Sequence, residues 1–295
     1  MITVSYNQKY NQPIVLAMGF FDCMHLGHKK LVDKAKEIAL QRGAQTAVFT
    51  FYNNHFKTLG KAEKLLFTFE ERKILFQKVG VDVTVGATFD KQFMTMDGNS
   101  FLSILKNTFE ICAVVVGFDY TCGSDRRDCN FVKDFFASRS IETHVIDQVS
   151  FEDEKISSTR IRKLLVSNLH NANSLMANNY FIIGTVEKGR TCGRTIGFPT
   201  ANVQVDCDKL LPVGVFTADV LVDNKNYKAI VNIGGQPTFG LDKVVVEAHL
   251  KDFSGDLYSQ TLTITPKKYI RNVVKFENKQ QLIEQLRQDL EKLND

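Results

Sequence analysis

The chain has 295 residues, of which 44% are hydrophobic and 24% charged, and its formal net charge is +4. This composition is typical of a soluble globular protein, and the length favours two domains. A net charge this small, without a clustered basic stripe, gives no support for binding to nucleic acid and suits an enzyme of anionic substrates. Neither a membrane span of about 20 apolar residues nor the apolar core of a signal peptide is present, so we expect no membrane partner.

The cysteines give no sign of a metal or redox site, because no two have the C-x-x-C spacing. They are Cys23, Cys112, Cys122, Cys129, Cys192 and Cys207. Free thiols in a reducing compartment are the simplest interpretation, which predicts a cytoplasmic protein. The sequence leaves the oligomeric state open, with a homo-oligomer as one option.

The first half of the chain alternates short apolar runs with amphipathic stretches. We predict strands over 14–18, 47–51, 81–85, 113–116 and 143–146, and helices over 29–41, 70–79, 100–106 and 131–137. This βαβα order predicts an α/β module with a parallel, Rossmann-like sheet covered by helices on both faces.

The second half reads as strands and turns. After a junction at 168–179, rich in Asn, Ser, Ala and His, we predict strands over 181–186, 214–222, 227–233, 244–250 and 257–264. They suit a small antiparallel β-barrel, followed by a terminal helix with Asn278 as N-cap and Gln281 three residues on. The expected modules are therefore residues 1–167 and 180–295.

A first site is predicted at residues 19–28, where a buried strand ends and a helix begins. His25 and His28 are three residues apart and share one side of the first helical turn. Imidazoles at a helix N-terminus can bind phosphate oxygens, and Gly27 allows close approach. Gly19, Phe20 and Gly27 would line the nucleotide. The alternative is two surface histidines near a helix start.

Residues 156–162, Ile-Ser-Ser-Thr-Arg-Ile-Arg, form a second phosphate-binding candidate. One serine could simply cap the following helix. That alternative leaves the two arginines unexplained, whereas hydroxyls and guanidinium groups at a helix N-terminus bind phosphate well. The candidate residues are Ser157, Ser158, Thr159, Arg160 and Arg162.

A further nucleotide site is predicted in the second half. Residues 184–194 are a strand and a glycine-rich loop, with Gly184, Gly189, Gly193 and Arg194 as candidate phosphate ligands. The glycines could equally serve only a turn, and no Walker motif is present. In the next motif, residues 197–202, Thr200 and Asn202 offer the hard oxygen ligands that Mg²⁺ prefers.

Glu247 is a further candidate residue of this second half. It lies on the predicted strand 244–250, on the face opposite Val244, Val246, Ala248 and Leu250. From spacing alone it could also be a solvent-facing strand residue.

These motifs together resemble the prokaryotic bifunctional riboflavin kinase/FAD synthetase family. The H-x-G-H and S-S-T-R-I-R motifs, with Val115 to Tyr120, look like its nucleotidylyltransferase module. Residues 197–202 and 232–239, with Glu247, resemble its riboflavin kinase module. The resemblance implies that Thr200 and Asn202 bind magnesium and nucleotide, that Glu247 is the catalytic base, and that Asp119, Tyr120 and Arg271 lie near flavin.

The first module departs from the family at three places. Cys23 stands where the family usually has Gly, residues 53–55 read Asn-Asn-His in place of Pro-His-Pro, and residues 120–123 replace Phe-x-Phe-Gly with a cysteine at Cys122. These positions belong to the flavin side rather than the phosphate side. We expect weaker FMN binding with an intact nucleotide site.

The resemblance implies a bifunctional transferase. It would phosphorylate riboflavin with ATP and Mg²⁺ to give FMN, and then adenylylate FMN with a second ATP to give FAD and pyrophosphate. His25, His28 and Arg160 would stabilise charge at the α-phosphorus. Two alternatives remain: a single retained activity, the kinase, or a non-catalytic regulator that binds flavin or nucleotide.

Overall fold

The computed structural model describes residues 1–188, 198–236 and 241–293. The chain divides into two compact units. The first comprises Met1–Arg160 and Leu175–Asn178, and the second comprises Ile161–Ser174 and Asn179–Asp295. Within the described ranges, no helix is both long enough and apolar enough to span a bilayer.

The first unit is built on a six-stranded sheet whose strand pairs are all parallel, in the order β1-β4-β3-β2-β5-β6. This confirms the predicted α/β architecture. The strands are β1 Ile2–Ser5, β2 Tyr10–Met18, β3 Gln45–Phe51, β4 Val83–Ala87, β5 Phe109–Gly117 and β6 Glu142–Ile146. Five of them were predicted, and β1 is the addition. The C-terminal half of β2, residues 14–18, is at most 1% exposed, as expected for a strand covered on both faces.

Helices connect these strands, and most begin at a side chain that accepts a hydrogen bond from the first turn. They are α1 Leu26–Arg42, α2 His55–Thr58, α3 Phe69–Lys78, α4 Lys91–Thr95, α5 Gly98–Thr108, α6 Cys129–Ala137, α7 Ser158–Ser167 and α8 Leu169–Ser174. Thr68 and Glu71 form a full capping box at α3, and Asp97 and Asp128 cap α5 and α6. A short hairpin, β7 Ser150–Phe151 and β8 Glu154–Lys155, precedes α7.

The strand order places a switch point between β2 and β5. From β2 the chain moves through β3 and β4 towards one edge, and then returns to β5 and β6 on the other side. The loops that follow β2 and β5 therefore leave in opposite directions and open a crevice at the carboxyl ends of the strands. The predicted H-x-G-H motif follows β2 directly, so it lies at this crevice.

The second unit contains a closed antiparallel barrel in the order β10-β13-β12-β11-β14-β9. Its strands are β9 Ile182–Glu187, β10 Ala201–Val205, β11 Gly214–Val222, β12 Lys225–Gln236, β13 Leu241–Leu250 and β14 Thr261–Arg271. Five strands were predicted and six are found, because β10 begins inside the motif at 197–202. The last strand starts later than predicted and runs on to Arg271. The terminal helix α9 Lys279–Glu291 is capped by Asn278, whose side chain accepts from the Gln281 N–H at 2.9 Å, as predicted.

The segment between the two predicted modules is largely ordered structure. It holds α8, and residues 175–177 then pair with the backbone of the first motif. Leu26 N–H donates to Leu175 O at 3.0 Å, and Ala177 N–H donates to Met24 O at 2.8 Å. Met24 is 1% exposed, so its carbonyl depends on this donor for a partner.

Replacing Ala177 by Pro should loosen the first motif, because proline has no N–H to offer the buried Met24 carbonyl. We expect a loss of about 1–3 kcal/mol in the free energy of unfolding and faster hydrogen exchange at the Leu26 amide. Ala177→Ser keeps the N–H and is the control. Unchanged hydrogen exchange at the Leu26 amide in Ala177→Pro would show that residues 175–177 do not hold the first motif in place.

Candidate active sites

A pocket of about 710 Å³ lies in the first unit at the carboxyl ends of β2, β3, β5 and β6. It brings together residues that are far apart in sequence. Among those predicted, it is lined by Gly19, Phe20, His25, Gly27, His28, Asp119, Tyr120, Ser157 and Ser158. The two predicted phosphate motifs and the predicted flavin loop therefore face one cavity, which the switch point between β2 and β5 creates.

His25 and His28 are stacked at the start of α1, with ring centroids 3.6 Å apart and planes 14° apart. His25 is also the N-cap, because its Nδ1 accepts from the His28 backbone N–H at 3.0 Å. This bond places the proton of neutral His25 on Nε2. The Nδ1 of His28 lies 2.6 Å from Cys23 O, which can only accept, so Nδ1 carries the proton of His28. The ring nitrogens left for a ligand are thus a donor on His25 and an acceptor on His28.

Both imidazoles are held neutral. Burial is the largest cause that lowers the pKa of His28, to about 4, and the hydrogen bond to Cys23 opposes it. Burial also lowers the pKa of His25 well below 6.5, and the neighbouring His28 adds to the effect. The two imidazoles therefore become protonated only when an anion lies close to them, since a nearby anion raises the pKa of an imidazole.

The turn before the histidines has a strained backbone that brings the Phe21 ring against His28. Phe21 has a φ of 51°, which is unusual for an aromatic residue, and its ring is fully buried against His28 at 4.8 Å between centroids. A Cβ on Gly27 would lie 3.0 Å from Cε1 of His25. A side chain at position 27 would therefore crowd the stacked His25 ring. This reason for a glycine cannot be seen from its position in the sequence alone.

The N-terminus of α7 meets the same pocket. The Ser157 hydroxyl accepts from the Arg160 N–H at 3.2 Å and so caps the helix, while Ser158 Oγ lies 3.8 Å from Cys23 Sγ. Thr159, Arg160 and Arg162 do not line the pocket. Arg160 is tied to the β7–β8 hairpin instead, through Glu154 at 2.9 Å and Phe151 O at 3.0 Å.

The loop after β5 carries the predicted flavin residues. Asp119 forms an ion pair with Lys155, and the Lys155 ammonium lies 4.8 Å from the centre of the Phe118 ring. Burial raises the pKa of Tyr120 well above 10, so its hydroxyl stays neutral. Sequence reasoning missed Lys155, although it lines the pocket and directly precedes the serine motif.

Part of the pocket lining is aromatic, and we call this part the aromatic end. Phe51 lies 4.9 Å from Phe89 and 5.2 Å from Phe93 between ring centroids, and all three line the cavity. The family departures Asn53 and Asn54 support this wall. Asn54 caps α2, whereas Asn53 bonds to the backbone of Phe89.

A buried guanidinium holds the two loops that form this wall. Arg72, on α3, is fully buried and donates to Phe20 O at 3.1 Å, Thr50 Oγ1 at 2.6 Å and Phe51 O at 2.7 Å. Burial lowers its pKa to about 10, which still leaves it protonated at neutral pH. Arg72 was missed because a charged residue inside an amphipathic helix reads as solvent-exposed.

In the second unit, Glu247 on β13 sits between two asparagines. It is directly opposite Asn202 on β10 and Asn232 on β12, so the three side chains share one face of the barrel. All three are half-buried. Asn232 extends the predicted pair of Asn202 and Glu247. His249 adds a support, because its Nδ1 lies 2.8 Å from Pro199 O, just before Thr200.

For two other predicted residues of this unit, Gly184 and Arg271, contacts within the barrel and with α9 explain the residue type. A Cβ on Gly184 would lie 2.4 Å from Gln204 O, so close contact of β9 with β10 accounts for this glycine. Arg271 is opposite Val215 on β11. It makes a bidentate ion pair with Asp289 of α9, and the Asp289 side chain is 1% exposed. Gly189, Gly193 and Arg194 lie outside the described residues.

Comparison with known proteins supports both modules. The sequence model of the FAD synthetase family matches residues 7–160, and that of riboflavin kinase matches residues 176–295. The bifunctional riboflavin kinase/FMN adenylyltransferase of Listeria monocytogenes is 34% identical, over 93% of this chain and 90% of the relative. That of Bacillus subtilis is 31% identical over the same shares.

A solved structure shares the fold. A crystal structure described as a macrolide-efflux protein from Streptococcus pneumoniae is 28% identical, with a TM-score of 0.88, and the match covers 100% of this chain and 99% of that one. Its description concerns that protein alone. Both family matches fall on the two units of this chain and favour neither the single-activity nor the non-catalytic alternative.

The low pKa of His28 makes stability depend on pH. Between about pH 4 and 6.5 the unfolded chain binds more protons at His28 than the folded chain, so the free energy of unfolding should fall as the pH falls through this window. One ring edge meets solvent in the pocket, so we expect a contribution of roughly 1–2 kcal/mol. Urea unfolding followed by circular dichroism at pH 4.5 and 6.5 should show a smaller difference in His28→Gln than in the native chain. Equal differences would contradict a neutral, buried His28.

Proposed function

Because the chain belongs to the bifunctional riboflavin kinase/FMN adenylyltransferase family, we propose which of its residues carry out the two reactions. The enzyme transfers the γ-phosphoryl group of ATP to riboflavin, and then joins FMN to the adenylyl group of a second ATP. The observation that supports the division of work best is the pocket of the first unit, which has a polar end with two helix N-termini and an aromatic end.

The polar end takes the triphosphate of ATP. The N-termini of α1 and α7 present free N–H groups and positive dipole ends to it. His25 donates from Nε2, and His28 takes up a proton as the phosphates approach, because their charge raises its pKa. Ser157 and Ser158 supply hydroxyls. Arg160, bonded to the hairpin, supports the segment that carries Lys155.

Adenylyl transfer needs no covalent enzyme intermediate. A phosphate oxygen of FMN attacks the α-phosphorus of ATP, the bond to the bridging oxygen of the β-phosphate breaks, and pyrophosphate leaves. Charge builds on the α-phosphate and on the leaving group, where His25 and protonated His28 stabilise it. The chain supplies mainly position and electrostatics, so the geometry of the stacked pair is the critical requirement.

The aromatic end takes the isoalloxazine ring of FMN. Phe51, Phe89 and Phe93 present apolar surface of the kind that a planar ring system covers well. At the boundary of the two ends, Asp119 and Lys155 are paired and Tyr120 is neutral. In this proposal the flavin phosphate lies beside the histidine pair, where adenylyl transfer takes place.

In the second unit, Glu247 is proposed as the base that takes the proton of the riboflavin 5′-hydroxyl. Its place between Asn202 and Asn232 puts a carboxylate among amides that can orient both it and the substrate. The oxygens of Thr200 and Asn202 are hard ligands and suit Mg²⁺. Bound there, Mg²⁺ would neutralise charge on the ATP phosphates. Arg271, fixed by Asp289, would complete the flavin side.

We place the reactions in the cytoplasm. The substrates of both steps include ATP, and the described cysteines, Cys23, Cys112, Cys122, Cys129 and Cys207, are all free thiols.

Glu247→Gln should lower FMN formation by about 10²–10⁴-fold while riboflavin binding is retained, because the amide keeps the size of the side chain but cannot accept the proton. Chromatography of riboflavin, ATP and Mg²⁺ after incubation measures the product. Asn226→Asp, on the exposed start of β12, is a matched control. A loss smaller than about tenfold would rule out Glu247 as the base.

His28→Asn should abolish most FAD formation from supplied FMN and leave FMN formation from riboflavin intact. The asparagine amide cannot take up the proton that His28 gains from solvent when ATP binds, and the kinase residues lie in the other unit. The two products are assayed separately on one preparation. If both activities fell together in a folded variant, the assignment of one reaction to each unit would be wrong.

A further inference from the structure

The wall of the flavin end depends on a loop that has little regular structure of its own. Phe89 lies between the end of β4 at Ala87 and the start of α4 at Lys91. The pairing of β3 with β4 ends at Phe51 and Ala87, followed by one bond from Tyr52 N–H to Ala87 O at 2.9 Å. Beyond that bond, the strands cannot position Phe89.

The side chain of Asn53 continues the ladder at this point. Its Oδ1 accepts from Phe89 N–H at 2.8 Å, and its Nδ2 donates to Phe89 O at 3.0 Å. A primary amide offers one donor and one acceptor, so a single side chain satisfies both backbone groups of one residue, as a neighbouring strand would. The Thr58 hydroxyl adds a third bond, to Phe89 O at 2.7 Å.

The bonds to the backbone fix where the Phe89 ring stands. This half-buried ring lines the pocket and packs against Phe51, His55 and Phe93, with centroids 4.9, 5.8 and 5.8 Å away. If the Phe89 peptide moved, the ring would move with it and the aromatic end would change its width.

We propose that Asn53 is a specificity-determining residue of the adenylyltransferase, which holds Phe89 against the flavin ring and thereby makes the pocket select for the substituted benzenoid edge of FMN. This inference rests on the proposed placement of the isoalloxazine ring in the aromatic end. Asn53 touches no reacting atom and acts through Phe89. The residue that departs from the family pattern is thus the one that shapes the flavin site.

The recognised feature is apolar and small. The benzenoid edge of FMN carries two methyl groups, and one buried methyl or methylene group changes binding by a factor of several to tens. A wall held by three hydrogen bonds can distinguish a ring with these methyl groups from a ring without them, whereas a wall free to shift would adapt to both rings. The ATP end of the pocket should not sense the change.

The test compares Asn53→Ala and Asn53→Asp in the full-length chain. Alanine removes both bonds, and aspartate keeps the acceptor for Phe89 N–H but sets a carboxylate oxygen against Phe89 O. Asn7→Asp is the matched control, because the exposed Asn7 uses only its Oδ1, which accepts from Ser5 Oγ. Formation of FAD is measured with FMN varied and then with ATP varied. Adenylylation of an FMN analogue that lacks both ring methyl groups is measured in the same way.

We expect the native chain and Asn7→Asp to prefer FMN over the analogue. In both Asn53 variants the KM for FMN should rise about tenfold, with the KM for ATP and kcat within about threefold of native, as expected when uniform binding is lost. The preference for FMN should fall towards one. Thr58→Val, which removes one bond, should shift the same quantities by a smaller factor and serves if an Asn53 variant does not fold.

An unchanged KM for FMN, or an unchanged preference in the variants, overturns the role of Asn53. Equal rises in both KM values, or a fall confined to kcat, also overturn it, because they indicate a general structural role. If the native chain makes FAD but does not prefer FMN over the analogue, the placement of the ring in the aromatic end is itself wrong.

Discussion

The hydrogen bond from the His28 backbone N–H to Nδ1 of His25 determines most of the first active site. It caps α1 by satisfying one N–H group of the first turn. The same bond fixes the tautomer of His25 and brings the two rings into a stack. The stack in turn requires the absence of a side chain at Gly27 and the backing of the Phe21 ring. One local contact therefore sets the helix start, the proton position and the ring geometry together.

The surroundings of this contact are buried, which suits a site that acts through electrostatics. The Arg72 guanidinium joins the ends of β2 and β3 from inside the unit, and its pKa of about 10 leaves it charged. The imidazoles, by contrast, are neutral until an anion arrives. The charge of Arg72 thus orders the backbone, whereas the two histidines would acquire charge only in response to an anionic ligand.

The sequence predicted the architecture well where the hydrophobic pattern is strong. The apolar runs of β2 and β5 and the cap at Asn278 leave little choice of structure. β1 was missed because it has only four residues, and β10 because it begins inside a motif with a binding role. The two histidines and the two serines were placed in one pocket as motif spacing suggested, and the family matches support the function that the motifs imply.

What sequence could not predict are contacts that depend on distant chain segments. Lys155 gains its place from Asp119, thirty-six positions away, and Asn53 gains its partner from a loop after the next strand. Neither has a local signal, since a lysine before a helix and an asparagine after a strand are both common in turns. Residues 175–177 are a further contact without a local signal. The sequence predicts a linker there, and only the structure shows their hydrogen bonds to Met24 and Leu26.

The two sites handle phosphate by different physical means, and the difference follows from their folds. A parallel sheet with helices returns helix N-termini to the carboxyl ends of its strands, so the first unit can bind triphosphate with dipoles, hydroxyls and histidines. An antiparallel barrel offers no helix N-terminus at its strands and instead places side chains in rows across neighbouring strands. In the proposed function, the row of Asn202, Glu247 and Asn232 supplies oxygens and a base, which suits a metal-assisted transfer to a hydroxyl. In the first reaction of the pathway a hydroxyl must lose a proton, and a carboxylate is present for it. In the second the nucleophile is already an anion, and its site needs no such base.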